Sequence, residues 1–86
     1  MNRDEIKAVI INFIETNFEI VDPGLDDNLG EVHGFDSIDA IELLREIEVL
    51  IHSKLTRDEE EEAMGIRTIN QIIDFIEKAM AARKEA

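Results

Sequence analysis

The sequence has no cysteine, only one proline and four glycines, and few basic residues among its 86 positions. The absence of cysteine excludes disulfides, thiolate metal sites and a cysteine nucleophile, and it fits a reducing cytoplasm. The four glycines lack the spacing of a phosphate-binding loop. No apolar run reaches the roughly 18–20 residues that a membrane span needs. A chain of 9.8 kDa is expected to form one domain over residues 1–86.

The scarcity of positive charge argues against nucleic acids and anionic membranes as partners. Nine lysines and arginines stand against 21 aspartates and glutamates, so the formal net charge is −12. Such a surface repels the phosphates of nucleic acids and anionic membranes, and it suits proteins with basic patches. The acidic start of the chain does not resemble a signal peptide. We therefore expect a soluble cytoplasmic monomer that binds neither nucleic acid nor membrane.

Hydrophobic periodicity predicts an all-α fold of three longer helices and one short helix. The longer helices are expected over residues 3–17, over residues 37–51, and from residue 69 onward. The short helix is expected after Thr56, with Gly65 ending it in a left-handed conformation. Three capping boxes are predicted: Asn2 with Glu5, Thr56 with Glu59, and Thr68 with Gln71.

A long loop over residues 19–36 separates the first two longer helices. It begins with a turn signal at residues 22–24, and Leu25, Leu29 and Val32 are spaced to hold it against a core. Loops of this length in small domains are often functional. The loop therefore indicates where the chemistry lies.

The sharpest motif, Gly34-Phe35-Asp36-Ser37-Ile38-Asp39, joins this loop to the acidic second longer helix. Asp36 is placed to cap that helix. With the helix order, the long loop and the chain length, the motif resembles that of the acyl carrier protein family. The family motif is Gly, any residue, then Asp-Ser-Leu, often followed by an acid. Here Ile38 takes the leucine position and Asp39 follows it.

The resemblance implies an acyl-carrier-type bundle, a single carrier domain over residues 1–86, that is not itself an enzyme and holds no metal. Family members carry 4′-phosphopantetheine on the motif serine, here Ser37, through a phosphodiester. A phosphopantetheinyl transferase installs the group from coenzyme A, and acyl groups are then held on its thiol as thioesters. The implied partners are that transferase and the acyl-transfer, condensing and reducing enzymes of fatty-acid, polyketide or related lipid synthesis.

The second longer helix is the docking surface that the resemblance implies for basic patches on these enzymes. The expected docking residues are Asp36, Ile38, Asp39, Ile41, Glu42, Glu46 and Glu48. Arg45 departs from the family pattern, which usually has an apolar residue there. A solvated helix face is the simpler interpretation of the same charges.

An acyl pocket is expected among apolar side chains that could equally be ordinary core residues. The candidates are Leu43, Ile47, Leu55, Ile66 and Ile72. Three departures from the family suggest a specialised carrier: His33 replaces the usual leucine before Gly34, Leu55-Thr56 replaces Ile-Pro, and residues 58–66 form a longer segment. Val32 could fill the pocket in place of that leucine.

The phosphate of a modified Ser37 would lie near free backbone N–H groups at the start of the helix. Asp36 and Asp39 would repel it, so we expect their carboxylates to serve a partner's basic residues or the transferase's metal. The sequence leaves two other functions open: an acidic helical interaction module without a prosthetic group, and an enzyme with Ser37 as nucleophile. His33, Asp36 and Ser37 lack the spacing of a nucleophile elbow, which disfavours the enzyme.

Overall fold

The computed structural model describes residues 1–84, and in that part of the chain it contains five helices and no strand. The helices are α1 (Arg3–Phe18), α2 (Leu29–His33), α3 (Ser37–Ile51), α4 (Arg57–Ala63) and α5 (Ile69–Lys84). The predicted all-α bundle is therefore confirmed, with one more short helix than expected. None of these helices combines the length and the apolar character required to cross a bilayer.

Helix α5 lies at the centre of the fold and contacts α1, α3 and α4. Its buried side chains follow the helical period and form one hydrophobic cluster with those of α1 and α3. The cluster contains Ile6, Ile10 and Ile14 from α1, Leu43 and Ile47 from α3, and Ile69, Ile72, Ile73, Phe75 and Ile76 from α5. Each fully buried isoleucine contributes about 1.5–3 kcal/mol by leaving water.

The three predicted capping boxes are present at the starts of α1, α4 and α5. In each box the first side chain accepts a hydrogen bond from the backbone N–H three residues later, and the later side chain accepts one in return. The pairs are Asn2 with Glu5, Thr56 with Glu59, and Thr68 with Gln71.

The predicted left-handed end of the short helix at Gly65 is wrong. Helix α4 ends at Ala63, and Met64 follows with a right-handed φ of −64°. The amide of Gly65 donates to the carbonyl of Glu62 at 3.1 Å, so the chain leaves α4 through a tight right-handed turn. The glycine with positive φ in the described residues is Gly34, at 70°.

Helix α2 was not expected from the sequence. The side chain of Asn28 caps it by accepting from the amide of Glu31 at 3.0 Å, and Gly34 ends it. Leu29 is buried, as predicted, but Val32 is 59% exposed and does not reach the core. A helix this short turns one narrow face inward, and Leu29 occupies it. The predicted role of Val32 as a core anchor is therefore wrong, and its role as a filler of the acyl pocket stays a prediction.

The long loop is fastened to the start of α5 by hydrogen bonds. The amide of Leu29 donates to the carbonyl of Arg67 at 2.8 Å, and the amide of Asn70 donates to the carbonyl of Leu25 at 3.0 Å. The side-chain amide of Asn70 also donates to Asp26 at 2.8 Å. These bonds span more than 35 residues of sequence, and they fix the segment that leads into α3.

Helix α4 is fastened to α5 by a charged clamp. The guanidinium of Arg83 donates to both carboxylate oxygens of Glu59, at 2.6 and 2.7 Å, and to the carbonyl of Lys54 at 2.9 Å. The hydrogen bonds from Arg83 lower the pKa of Glu59 to about 2. A second pair joins Lys78 to Glu62 at 2.8 Å. Arg83 thus links α5 both to α4 and to the segment before it.

Candidate functional site

Ser37 is the first residue of α3, and its side chain is exposed. Its Oγ makes no hydrogen bond with any residue between 1 and 84. The residue stands directly after the helix cap, where the chain emerges from the fastened loop. The hydroxyl is therefore open to approach by another protein, on a backbone that is held in place.

A capping box fixes the backbone around Ser37. Asp36 Oδ1 accepts from the amides of Ile38 at 3.0 Å and Asp39 at 2.9 Å, and Asp39 Oδ2 accepts from the amide of Asp36 at 3.1 Å. The predicted cap at Asp36 is thus confirmed. The box satisfies backbone N–H groups that helix starts otherwise leave without partners.

This box changes one expectation from the sequence. The amides of Ile38 and Asp39 already donate to Asp36, so they are not free to hold a phosphate on Ser37. Each carboxylate uses one oxygen inside the box. Asp36 Oδ2 and Asp39 Oδ1 have no hydrogen-bond partner within residues 1–84, and they remain available to a cation brought by another protein.

An aromatic chain supports the residues just before Ser37. The ring of Phe35 packs against that of Phe18 with centroids 5.3 Å apart and planes at 89°, and Phe18 packs against Phe13 at 5.6 Å and 85°. The amide of Phe35 also donates to the carbonyl of Leu29 at 3.1 Å. The sequence showed Phe35 only as the variable position of the motif. The aromatic character of Phe35, just before the start of a helix, was the sequence signal that could have indicated its packing role.

His33 contacts Asp27 in the long loop. Its Nε2 lies 3.1 Å from Asp27 Oδ2, and its side chain is 17% exposed. The amide of Gly24 donates to the same carboxylate at 2.9 Å. The pKa of Asp27 is lowered, first by the Gly24 amide and then by the hydrogen bond to His33. His33 therefore stabilises the turn of the long loop, and it is not a base for Ser37.

The predicted docking residues of α3 fall into two groups. Ile38 and Ile41 are 66% and 52% exposed, and Glu42 is exposed as well. Asp39 and Glu46 are half-buried. Glu48 is also half-buried, and its Oε2 accepts from the amide of Leu55 at 2.9 Å. Glu48 thus fastens the segment between α3 and α4, a role that the sequence did not suggest.

The expected pocket residues lie in the closed core. Leu43, Ile47, Leu55 and Ile72 are buried, and Ile66 is half-buried against them. None of the five lines either of the two described surface grooves, one of which runs beside Val49, Leu50 and Met80. Ordinary packing accounts for their positions here, and the acyl pocket stays a prediction. Residues 1–84 contain no group of three or more histidines, aspartates or glutamates placed to hold a metal ion.

Comparison with known proteins bears on the same segment. The family model described as a phosphopantetheine attachment site matches residues 5–76, which include the whole of α3 and the motif around Ser37. No curated protein and no solved structure matches the chain. An exposed serine hydroxyl at a rigid helix start is a fitting attachment point for a flexible arm. The chain therefore belongs to the phosphopantetheine attachment site family, a carrier family whose prosthetic group is 4′-phosphopantetheine.

Proposed function

We propose that this protein is a non-enzymatic acyl carrier, modified with 4′-phosphopantetheine at Ser37. The observation that carries the proposal is the exposed Ser37 hydroxyl, which has no partner within residues 1–84 and lies inside the segment matched by the family model. When bound, the group supplies a thiol that holds acyl chains as thioesters. The arm leaves the protein at the entrance of α3, a helix with exposed side chains at Ile38, Ile41 and Glu42.

The attachment step transfers the 4′-phosphopantetheinyl group of coenzyme A. Ser37 Oγ forms a bond to the phosphorus of the pantetheine half of coenzyme A, and the anhydride bond to the nucleotide half breaks. Adenosine 3′,5′-bisphosphate leaves, and the hydroxyl proton passes to a base of the transferase. A base from another protein is needed because His33 is engaged with Asp27.

The residues around Ser37 position it and do not react. The capping box of Asp36 and Asp39 holds the helix start, and the packing of Phe35 holds the approach to it. The two free carboxylate oxygens of the box can receive a metal or a basic group of the transferase. This arrangement suits a protein that is acted upon, and it supports a carrier over the enzyme alternative.

The acyl chain would be sheltered between α3 and α5. Leu43, Ile47 and Ile72 supply an apolar interior at the facing sides of these helices, with Leu55 and Ile66 beside them. Shelter requires a second packing of the same side chains, selected by the bound chain. Acyl-transfer, condensing and reducing enzymes of fatty-acid, polyketide or related lipid synthesis are the proposed partners.

Intact-mass spectrometry tests the attachment. The parent protein is incubated with coenzyme A and a broadly permissive phosphopantetheinyl transferase, and a mass gain of one 4′-phosphopantetheine is expected. Ser37→Ala should show no gain. Ser53→Ala is the matched control, because it removes the other serine, and it should gain the group like the parent.

Two outcomes would overturn the proposal. Absence of any gain in the parent would leave the chain as an interaction module without a prosthetic group. A gain that persists in Ser37→Ala would place the attachment elsewhere. If the gain is as expected, the mass of the thioester on protein purified from its source identifies the acyl cargo.

A further inference from the structure

The outward side of α3 is not uniformly acidic. Its exposed positions recur at helical spacing and form a ridge, called here the α3 ridge, of Ile38, Ile41, Glu42, Arg45 and Val49. The three apolar members are 66%, 52% and 67% exposed. Exposed apolar residues that recur along one side of a helix can contribute to a surface that another protein covers.

Arg45 is the only cation of α3, and it stands in the middle of the ridge. Its side chain is exposed, and it forms no hydrogen bond or ion pair within residues 1–84. Arg3, Lys78 and Arg83 are each paired with carboxylates, whereas the side chains of Lys7 and Lys54, like that of Arg45, form no ion pair within residues 1–84. Arg45 is thus a positive charge on an acidic surface, and it makes no stabilising polar contact within residues 1–84.

A protein that acts on Ser37 through an interface of ordinary size is expected to reach this charge. Arg45 lies eight residues along the helix from Ser37, which is about 12 Å at the rise of an α-helix. Stable interfaces bury about 800 Å² on each partner, which corresponds to a disc of about 16 Å radius, so a point about 12 Å from its centre still lies within it. An enzyme whose reactive centre reaches Ser37 therefore also meets Ile41 and Arg45.

We propose that the phosphopantetheinyl transferase that modifies this protein binds the α3 ridge through an apolar surface that carries a carboxylate facing Arg45. A covered guanidinium without a partner would lose its hydration and gain nothing, whereas a carboxylate can pair with it in a bidentate geometry. A uniformly basic surface would repel it. This inference rests on the proposed function, because it assumes that Ser37 is modified.

The inference is tested by whether one charge reversal lowers or raises kcat/KM for modification. Arg45→Glu makes α3 uniformly acidic, so a uniformly basic transferase surface would bind the variant better than the parent. The proposed carboxylate would instead repel it. With the transferase of the source organism, we expect kcat/KM for modification to fall at least about tenfold, mainly through KM, and the loss to shrink as salt rises. Arg45→Lys should retain most of the parent's value.

Arg57→Glu on α4 is the matched control. It makes the same change in net charge at a side chain that is 91% exposed and has only a 3.5 Å contact with Glu61. We expect its kcat/KM to stay within about twofold of the parent's, because surface pairs of this kind contribute little. Thermal unfolding of all variants shows whether they are equally folded.

The two proposals fail in different ways. If neither transferase adds the group to Ser37, the proposed function fails. If Ser37 is modified but Arg45→Glu matches or exceeds the parent in kcat/KM, the carrier function stands and the carboxylate facing Arg45 is refuted. If Arg45→Glu and Arg57→Glu slow modification equally, net charge alone matters, and the inference is refuted as well.

Discussion

The ring of Phe35 stands nearly perpendicular to that of Phe18, with the two centroids 5.3 Å apart. This contact joins the end of α1 to a residue only two positions before Ser37. The entrance of α3 is therefore positioned by packing against another helix as well as by its own cap.

We expect Phe35→Ala to lower the free energy of unfolding by about 1–3 kcal/mol. A half-buried phenylalanine loses less than the 3–5 kcal/mol of a fully buried one, and the perpendicular pair itself contributes about 0.5–1.5 kcal/mol. Urea unfolding followed by circular dichroism measures the change. Phe35→Leu should cost less, since it keeps apolar contact. Equal stability of Phe35→Ala and the parent would show that the contact does not hold the loop.

Asp36 allows its capping role to be separated from its charge. Asp36→Ala should lower the free energy of unfolding by about 1 kcal/mol, whereas Asp36→Asn should lose much less, because asparagine caps as well as aspartate. Urea unfolding of both variants measures this. A loss of the same size in both would mean that the negative charge, and not the hydrogen bonds to Ile38 and Asp39, stabilises α3.

The Asp36→Asn variant also tests whether Asp36 takes part in the modification of Ser37 by the transferase. If the free carboxylate oxygen of Asp36 receives a cation of the transferase, Asp36→Asn should slow modification although its fold is intact. A stable Asp36→Asn variant that is modified at the parent's rate would restrict Asp36 to capping.

The clamp between Arg83 and Glu59 predicts a dependence of stability on pH. The pKa of Glu59 falls from the ordinary value of 4.5 to about 2 in the folded protein. The unfolded state therefore binds its proton at a higher pH, and the stabilisation is fully present above pH 4.5 and is lost as pH falls toward 2. Glu59→Gln should cost about 1.5–3 kcal/mol at pH 7, as expected for hydrogen bonds to a charged group.

Comparison of the parent with Glu59→Gln between pH 7 and pH 2 isolates this effect from the titration of other carboxylates. The difference in free energy of unfolding should shrink as pH falls through that window. Glu61→Gln is the control, since Glu61 makes only an exposed contact with Arg57, and its cost should stay below about 0.5 kcal/mol. A difference that does not vary with pH would exclude a charged clamp.

The net charge of −12 predicts that salt stabilises the protein. Repulsion among like charges opposes the compact state, and added ions screen it. The melting temperature should therefore rise between low salt and 0.5 M sodium chloride. No change, or a fall, would mean that the clamp and the other ion pairs outweigh the repulsion.

The sequence was sufficient for the longer helices because each carries a continuous apolar stripe, as in α5 from Ile69 to Ile76. It was insufficient for α2, whose five residues are too short to show a period. The Asn28 and Glu31 spacing was the one local signal, and it is common in loops as well. Gly34 was noted for the motif, yet it also ends this helix.

The parts that could not be predicted depend on residues far apart in the chain. Nothing in the sequence pairs Arg83 with Glu59, or Leu29 with Arg67, because those partners meet only after the helices pack. At the site, the cap of Asp36 was predictable because it is local. The bond from the Leu55 amide to Glu48 was not, because it requires the chain to fold back after α3.

The bonds from the long loop to Arg67 and Asn70 have a consequence for biosynthesis. The segment that leads into Ser37 is held by residues at the start of α5, which the ribosome makes after the other four helices. A nascent chain lacking α5 would keep the cap of Asp36 and the packing of Phe35 on Phe18, but it would lack the bonds that hold the long loop in place. We expect the arm to be added chiefly after translation has passed this point, so that its presence marks a chain that has finished folding.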